Sequence, residues 1–279
     1  MTPPRPMDTA RIQRRSFPDL TLSPLASTVD LTGRTAVVTG GAHGIGLAVC
    51  RRLREAGADV VLADKSADAA QRAASELGAR CFPAHVDVRD GASIDALADL
   101  ALARFGTLDV WVNNAGTYPR QALLDITDDD WDEVHRLNLR GAFIGSREAA
   151  RRMIASERGG TIVNLTSTAA YNTAAGGNPA HYVSSKHALA GLTKSLAVEL
   201  GPYGIRAVAV APTLTRTPGV QAAHAAGRGA SLDRYTDRLP AGRPAEPDDV
   251  ARVVLFAASG LAGFVSGSTI DVDGGDLAL

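Results

Sequence analysis

The sequence predicts an α/β protein built on a single doubly wound parallel sheet with helices on both faces. Two observations carry this prediction. Seven stretches have the character of short strands, and most are separated by segments of helical length; strands that alternate with helices favour parallel pairing. The predicted strands lie near Thr35, Val60, Arg80, Val110, Ile162, Ala207 and Ile270. No internal repeat of solenoid length is present.

The composition predicts one domain. With 279 residues and 45% apolar content, the chain is long enough to bury a full core. Residues 1–30 contain five prolines and four arginines and precede the first predicted strand, so we expect an N-terminal extension that is flexible or lies on a neighbouring subunit. We expect residues 31–279 to form the single folded domain.

Charge and cysteine content exclude several classes of partner. The net charge is -1, with 29 basic and 30 acidic residues, which disfavours binding to nucleic acid or to an anionic membrane surface. No apolar run is long enough to span a bilayer. Cys50 and Cys81 are expected to be core residues, which suits a reducing cytoplasm. Prolines interrupt the apolar stretch that a twin-arginine export signal would need after Arg14 and Arg15.

The first predicted strand leads into a glycine-rich loop. Thr35 to Thr39 runs directly into Gly40-Gly-Ala-His-Gly44-Ile-Gly46, and an apolar helical pattern follows. Glycines at such a turn let the backbone approach a pyrophosphate, whose charge is met by the N-terminus of the next helix. An ordinary turn is the alternative. The flanking strand and helix favour a dinucleotide site.

The second predicted strand, Asp59 to Ala63, ends at Asp64. This residue follows Gly46 by eighteen positions, about where a carboxylate would meet the adenosine ribose. Because a carboxylate accepts a hydrogen bond from a free 2′-hydroxyl and repels a 2′-phosphate, we expect NAD to be preferred over NADP. Lys65 and His43 would soften that repulsion. The alternative for Asp64 is a turn residue at a strand end.

A pair of side chains at helical spacing indicates acid/base chemistry. Tyr182 and Lys186 stand four residues apart, so both project from one face of a helix, and Ser167 lies fifteen residues before the tyrosine. A free tyrosine has a pKa near ~10, and an adjacent ammonium favours the phenolate by roughly 1 to 3 pKa units. We therefore expect Lys186 to lower the pKa of Tyr182.

In this order the motifs resemble those of the short-chain dehydrogenase/reductase family, over roughly residues 31 to 275. The resemblance implies a Rossmann-like fold and a catalytic set of Asn138, Ser167, Tyr182 and Lys186. It also implies contacts to the cofactor from Tyr182 and Lys186 themselves and from Gly40, His43, Gly44, Ile45, Gly46, Asp64, Asp87, Val88, Asn114, Ala115, Gly116, Pro212 and Thr217. No metal is implied.

The resemblance further implies the reaction and the role of each catalytic residue. A hydride passes between nicotinamide and a secondary alcohol or ketone, while Tyr182 exchanges the proton on the substrate oxygen. Ser167 holds that oxygen, Lys186 binds the nicotinamide ribose, and Asn138 positions a water that relays protons. Members of the family commonly form dimers or tetramers, and we expect a homotetramer. In the family, the segment that corresponds to residues 213 to 244 covers the substrate; a plain surface loop with a short helix is the alternative.

Two local departures from the family pattern affect loops. The family serine commonly stands thirteen residues before the tyrosine, but that position here is Ala169. Ser167 is the best match if the loop through Asn172 to Asn178 is two residues longer, and Thr168 is the fallback hydroxyl. Pro212-Thr213 stands where the family has Pro-Gly.

Two further functions remain open. The same fold supports dehydration or epimerisation, and an NAD-sensing protein would need the glycine loop without a proton donor. Tyr118, Tyr171 and His181 are candidates for lining the pocket, or they are simple packing residues. Nothing in the sequence identifies the substrate.

Overall fold

The computed structural model describes residues 15–171, 179–226, 235–237 and 239–278. Within these ranges, seven strands form one sheet: β1 (Thr35–Thr39), β2 (Asp59–Asp64), β3 (Cys81–His85), β4 (Val110–Asn113), β5 (Gly160–Leu165), β6 (Ile205–Pro212) and β7 (Thr269–Val272). Their order across the sheet is β3-β2-β1-β4-β5-β6-β7, and every pairing is parallel. The predicted doubly wound parallel sheet is confirmed.

Helices cover both faces of this sheet. The longer ones are α2 (Gly44–Glu55), α3 (Ala67–Leu77), α4 (Gly91–Phe105), α5 (Asp128–His135), α6 (Gly141–Ala155), α7 (Ala180–Leu200), α8 (Pro218–Ala225) and α9 (Pro247–Ala258); a short helix, α1 (Leu25–Val29), precedes β1. One apolar core lies between the sheet and α2, α3 and α9. A second lies on the opposite face against α4 and α6. Strands buried from both sides explain the nearly continuous apolar runs in the sequence.

The topology also fixes where a ligand can bind. Strand order reverses between β1 and β4, because β2 and β3 lie on one side of β1 and the later strands on the other. In sheets of this kind ligands bind beyond the carboxyl ends of the strands at such a switch point. Thr39, Asn113 and Leu165 end three adjacent strands at this edge.

Part of the N-terminal extension packs on its own chain. The backbone N–H of Arg15 donates to the carbonyl of Pro202 at 2.9 Å, and the Arg15 guanidinium pairs with Glu157 at 2.8 Å. Leu20 lies against Gly260, where an added Cβ would be 2.7 Å from the leucine side chain. The expected flexibility or docking on a neighbour therefore remains a prediction for residues 1–14, which lie outside the described residues.

Two expectations about the rest of the chain concern cysteines and membranes. Cys50 and Cys81 are buried and free, and desolvation raises the pKa of the Cys81 thiol to about 11. Both thiols are therefore inert core groups at neutral pH. Among the described residues, none of the helices combines the length and the apolar character that crossing a membrane requires.

Candidate active site

The glycine loop forms a cradle between β1 and α2. Gly40 and Gly44 both have positive φ, +64° and +52°, which favours glycine at these positions. A Cβ added to Gly46 would lie 2.1 Å from the Gly40 carbonyl oxygen and 2.5 Å from Nδ2 of Asn114. The start of α2 therefore packs directly on the loop, and this close approach is what a pyrophosphate site requires.

Asn114 joins this loop to the segment after β4. Its Nδ2 donates to the carbonyl oxygens of Thr39 and Gly40, each at 2.9 Å. In return, Oγ1 of Thr39 accepts from the backbone N–H groups of Asn114 and Ala115 at 3.1 Å. These four bonds satisfy backbone polar groups of the two loops and fix the loops relative to each other.

A cavity of about 670 Å³ begins at this cradle. Most of the predicted cofactor contacts line it, and they are Gly40, His43, Gly44, Ile45, Gly46, Asp64, Asp87, Val88, Asn114, Ala115, Gly116 and Thr217. Its size and its glycine floor fit a dinucleotide. The described residues contain no cluster of three side chains able to hold a metal ion.

Asp64 lies at the end of β2 and is 8% exposed. Its carboxylate accepts from the backbone N–H groups of Ala42 at 3.2 Å and Ser66 at 3.1 Å. One oxygen is therefore tied to the glycine loop, which fixes the carboxylate at the cavity wall. Lys65 and His43 line the same cavity, so both groups expected to soften the charge are also present.

Asp87 is already paired within the chain. Arg89 donates to it in a fork, with contacts of 2.6 to 3.1 Å, and also donates to Glu133 at 2.8 Å. The Arg89 hydrogen bonds hold the pKa of Asp87 at about 2. Arg89 lines the cavity but was missed by sequence reasoning. Arg89 directly follows the Asp87-Val88 motif, so the motif could have indicated that Arg89 lies near the site.

A second cavity, of about 380 Å³, adjoins the first. Both are lined by Ile45, Asn114, Gly116, Thr117 and Thr217. Ser167, Tyr182, Lys186 and Pro212 line the second cavity alone. The structure thus brings Ser167, Tyr182 and Lys186 immediately beside the predicted nucleotide site, whereas Asn138, the fourth predicted catalytic residue, lines neither cavity.

Tyr182 and Ser167 face each other in this second cavity. Tyr182 projects from the first turn of α7, and Ser167 follows β5. Burial raises the pKa of the Tyr182 phenol to about 12, although the nearby Ser167 hydroxyl acts in the opposite direction. The expected net lowering of the Tyr182 pKa is therefore wrong for the protein alone, because desolvation of the phenolate outweighs the favourable contact with Ser167.

Lys186 is buried beneath the tyrosine. Its Nζ donates to the carbonyl oxygen of Leu165 at 2.7 Å and lies 5.8 Å from the centre of the Tyr182 ring. Burial lowers the pKa of Lys186 to about 8. A Cβ on Gly116 would lie 3.5 Å from this Nζ, so the missing side chain at Gly116 leaves the ammonium accessible from the cavity.

Asn138 lies in a short π-helical segment, Arg136–Arg140, between α5 and α6. Its Nδ2 donates to the Thr117 carbonyl at 3.0 Å and to Oγ of Ser185 at 3.2 Å, and its Oδ1 accepts from the Thr117 N–H at 2.8 Å. π-Helical turns are frequent at functional sites. Asn138 thus links the β4 loop to α7, and its role in a water relay remains a proposal.

His181 contacts the backbone of Tyr182 and lines neither cavity. The ring is fully buried; Nδ1 accepts from the Tyr182 backbone N–H at 2.9 Å, and Nε2 lies 2.9 Å from Oε1 of Gln121. The nitrogen that accepts the backbone N–H cannot carry a proton, so the neutral Nε2–H tautomer donates to Gln121. Burial lowers the pKa of His181, which favours this neutral form. Sequence reasoning missed Gln121.

The remaining candidates fall in different places. Tyr118 lines the second cavity, and its ring meets that of Tyr182 edge-on at 4.5 Å. Tyr171 lies outside that cavity and contacts Thr269 through its hydroxyl. Thr168, the fallback for Ser167, also lines the cavity and is buried. The loop Asn172 to Asn178 lies outside the described residues.

A polar cluster on the β6 side of the cavity was not predicted. The hydroxyls of Thr213 and Tyr235 are in contact with each other, and Oδ2 of Asp276 accepts from Thr213 at 2.9 Å and from Tyr235 at 2.6 Å. Burial and Asp276 raise the pKa of Tyr235 to about 12. Tyr235 falls within the segment expected to cover the substrate. Residues 227–234 and 238 of that segment lie outside the described residues.

Comparison with known proteins decides the family. A family model described as Enoyl-(Acyl carrier protein) reductase matches residues 40–276. The trans-4-hydroxycyclohexanecarboxylate dehydrogenase of Sinomonas cyclohexanicum is 35% identical over 88% of this chain and 93% of its own length. A short-chain type dehydrogenase/reductase from Mycobacterium marinum superposes with a TM-score of 0.83 at 32% identity, over 89% of this chain and 97% of its own.

The chain belongs to the short-chain dehydrogenase/reductase family. A 3-ketoacyl-(acyl-carrier-protein) reductase from Brucella melitensis, solved in complex with NADH, is similar as well, with a TM-score of 0.82 at 31% identity over 89% of this chain and all of its own. Family membership makes this protein an oxidoreductase that uses a nicotinamide dinucleotide and acts on a small molecule.

Proposed function

We propose that this short-chain dehydrogenase/reductase transfers a hydride between NAD(H) and a secondary alcohol or ketone. The observation that carries the proposal is the position of Tyr182, which faces Ser167 in a cavity continuous with the glycine cradle. The relative from Sinomonas cyclohexanicum is named for a substrate with a secondary alcohol, which supports this substrate class. The bound nicotinamide supplies or accepts the hydride.

The chain's own residues manage the proton. With a pKa of about 12, the Tyr182 phenol is protonated at neutral pH and is ready to donate to the oxygen of a ketone. Ser167 holds the same oxygen. In the direction of alcohol oxidation the phenolate is needed, so positive charge near the ring, including the Lys186 ammonium, must offset the desolvation that raises this pKa.

Asn138 and Lys186 provide a path for the proton between the site and solvent. Lys186 Nζ already donates to the Leu165 carbonyl, and Asn138 holds the Thr117 carbonyl on the same side of the cavity. We propose that a water held between these groups relays protons to Tyr182. Lys186 is also placed to hold the hydroxyls of the nicotinamide ribose, since Gly116 carries no side chain in between.

NAD is the proposed cofactor in preference to NADP. The Asp64 carboxylate is fixed at the wall of the larger cavity by two backbone N–H groups, where it would accept from a ribose hydroxyl and repel a phosphate. Lys65 and His43 in the same wall would reduce that repulsion. We therefore expect a preference for NAD rather than exclusion of NADP.

NADH formation tests the proposal directly. Purified wild type and Tyr182→Phe are screened by absorbance against secondary alcohols, with NAD and with NADP. Turnover by wild type that is stronger with NAD and lost in the variant supports the proposal. NAD binding without turnover across the panel would favour a sensor. NADH that is deuterated on its nicotinamide ring provides a second test. If the cofactor keeps its deuterium and the released product contains none, the result would favour dehydration or epimerisation.

We also propose that the protein is a cytoplasmic homotetramer. The buried free thiols of Cys50 and Cys81 suit a reducing compartment. Apolar side chains on the outer faces of α5, α6 and α7 are exposed, with Trp131 at 41%, Phe143 at 42% and Val198 at 78%. We propose that these side chains lie in the contacts between subunits, where they would form a continuous apolar surface. A monomer by light scattering at micromolar concentration would contradict the assembly.

A further inference from the structure

The charged side chains of the smaller cavity differ in whether they have partners. Among the described residues, the charged groups lining it are Arg120, Lys186 and Asp276. Lys186 donates to the Leu165 carbonyl, and Asp276 accepts from both Thr213 and Tyr235. No carboxylate in residues 15–171, 179–226, 235–237 or 239–278 forms an ion pair with Arg120. Within the part of the chain that the structure describes, the Arg120 guanidinium therefore brings a positive charge to the cavity that no carboxylate offsets.

The backbone beside Arg120 is held in place by contacts of its neighbour Gln121. Gln121 donates from Nε2 to Oδ2 of Asp130 at 2.9 Å, and its Oε1 accepts from the buried His181. His181 in turn accepts the backbone N–H of Tyr182. The backbone at Arg120 is thus tied both to α5 and to the helix that carries the catalytic tyrosine. A guanidinium on a tied backbone loses less entropy on binding a ligand than one on a free loop.

An aromatic ring separates the cation from the reacting centre. The Arg120 Cζ lies 5.7 Å from the centre of the Tyr118 ring, and Tyr118 meets Tyr182 edge-on at 4.5 Å. A cation over an aromatic face is stabilised without being neutralised. The guanidinium N–H groups remain able to donate in a fork, which is the geometry that carboxylates and sulfonates accept.

We propose that Arg120 binds an anionic group of the substrate, a carboxylate or a sulfonate, so that the enzyme acts on a hydroxy acid or keto acid. This inference rests on the proposed hydride transfer and names its substrate class. The substrate oxygen lies at Tyr182 and Ser167, and the anion lies beyond Tyr118 on the β4 side of the cavity. Asp276, on the β6 side, would repel the anion and so favours one orientation.

Binding measurements test Arg120 without relying on turnover. Cyclohexanecarboxylate and its uncharged isostere cyclohexanecarboxamide are titrated calorimetrically into NAD-saturated wild type and Arg120→Gln. We expect the carboxylate to bind about 10- to 100-fold more weakly to the variant, with the carboxamide nearly unchanged, as is typical of losing a charge-assisted hydrogen bond. Arg104→Gln is the matched control, since Arg104 also lies over an aromatic ring but lines neither cavity.

Three outcomes would overturn the inference: no carboxylate binding to wild type, equal binding to Arg120→Gln, or equal weakening by Arg104→Gln. Kinetics then separate this inference from the proposed function. The enzyme could reduce 4-oxocyclohexanecarboxylate and its carboxamide with equal kcat/KM, and Arg120→Gln could leave both values unchanged. That result would contradict the anion site but would still support hydride transfer. Arg120-dependent carboxylate binding with no ketone reduced would place the failure in the proposed function.

Discussion

Lys186 and Tyr182 lie one helical turn apart on α7, and burial shifts the pKa of both toward their uncharged forms. The lysine falls to about 8 and the tyrosine rises to about 12, with Nζ 5.8 Å from the ring centre. The spacing places the pair on one face of the helix, whereas the enclosed site decides the direction of each shift. The Tyr182 phenol therefore acts as a proton donor at neutral pH, and it can act as a base only when additional positive charge lies near its ring.

Tyr182→Phe should remove the proton donor while leaving nucleotide binding intact. We expect kcat for ketone reduction to fall about 10²- to 10⁴-fold, the usual contribution of general acid catalysis. The dissociation constant of NADH, measured by fluorescence titration, should stay close to the wild-type value. A variant that keeps most of its kcat would exclude Tyr182 as the acid.

Gly46→Ala should abolish the nucleotide cradle. The new Cβ would lie 2.1 Å from the Gly40 carbonyl oxygen, so either the loop or the start of α2 must move. We expect loss of NADH binding and a lower Tm. Gly191→Ala on α7 is the matched control, because nothing lies within 4 Å of its added Cβ. That change should leave binding unaffected and stabilise the helix by roughly 0.5 to 1 kcal/mol; equal behaviour of the two variants would refute the steric argument.

Asp64→Asn should weaken discrimination between NAD and NADP. The amide retains the shape of the carboxylate but removes the charge that repels a 2′-phosphate, so the ratio of kcat/KM for NAD to that for NADP should fall about tenfold. Asp68→Asn, at an acidic position in the first turn of α3, is the control. An unchanged ratio in Asp64→Asn would mean that Lys65 or His43 determines the preference.

Gln121→Leu should lower the rate of catalysis although Gln121 lines neither cavity. It leaves the buried His181 Nε2–H without its acceptor, which costs about 1 to 3 kcal/mol, and it frees the loop from Asp130. We expect a lower Tm and a lower kcat with NADH affinity preserved. Gln121→Glu keeps an acceptor for His181 and should restore part of kcat. If the leucine variant has wild-type kcat, the His181 contact does not position Tyr182.

Acid should destabilise the protein partly through Asp249. Its hydrogen bonds with Arg243 hold its pKa at about 2, against an ordinary 3.8, and the side chain is 17% exposed. A lowered carboxyl pKa contributes stability above pH 3.8 that is lost as the pH falls through 2, here about 2 kcal/mol.

Urea unfolding of wild type and Asp249→Asn checks this contribution. The difference in free energy of unfolding between the two should be largest at pH 5 and should mostly disappear at pH 2. Glu76→Gln, an exposed carboxylate on α3, should give no such trend. A difference that is constant with pH would show that Asp249 acts through its capping hydrogen bond to Glu246 and not through its charge.

The fold was predictable from the sequence because both faces of the sheet are buried. Strands such as β1 and β6 are mostly apolar and are buried along their whole length, and the helices between strands favour parallel pairing. The glycine loop was equally predictable, since any side chain at position 46 would clash with the carbonyl oxygen of Gly40. Residues close along the chain and constrained by their own backbone leave a clear local pattern.

The details of the site depended on contacts between distant segments. Gln121 and His181 are 60 residues apart in the chain, and Thr213 and Asp276 are 63 apart. No local pattern predicts either contact. Arg120 looked like one arginine among many until the fold placed it in the same cavity as Tyr182.

The sequence by itself determined the sheet, the nucleotide loop and the order of the catalytic residues, because these follow from hydrophobic periodicity and backbone conformation. Only the tertiary structure decided the protonation preference of Tyr182, the neutral state of His181 and the position of Arg120 in the cavity that Tyr182 lines. The physical reason is that desolvation and charge compensation are set by everything packed around a group, and most of those neighbours come from elsewhere in the chain.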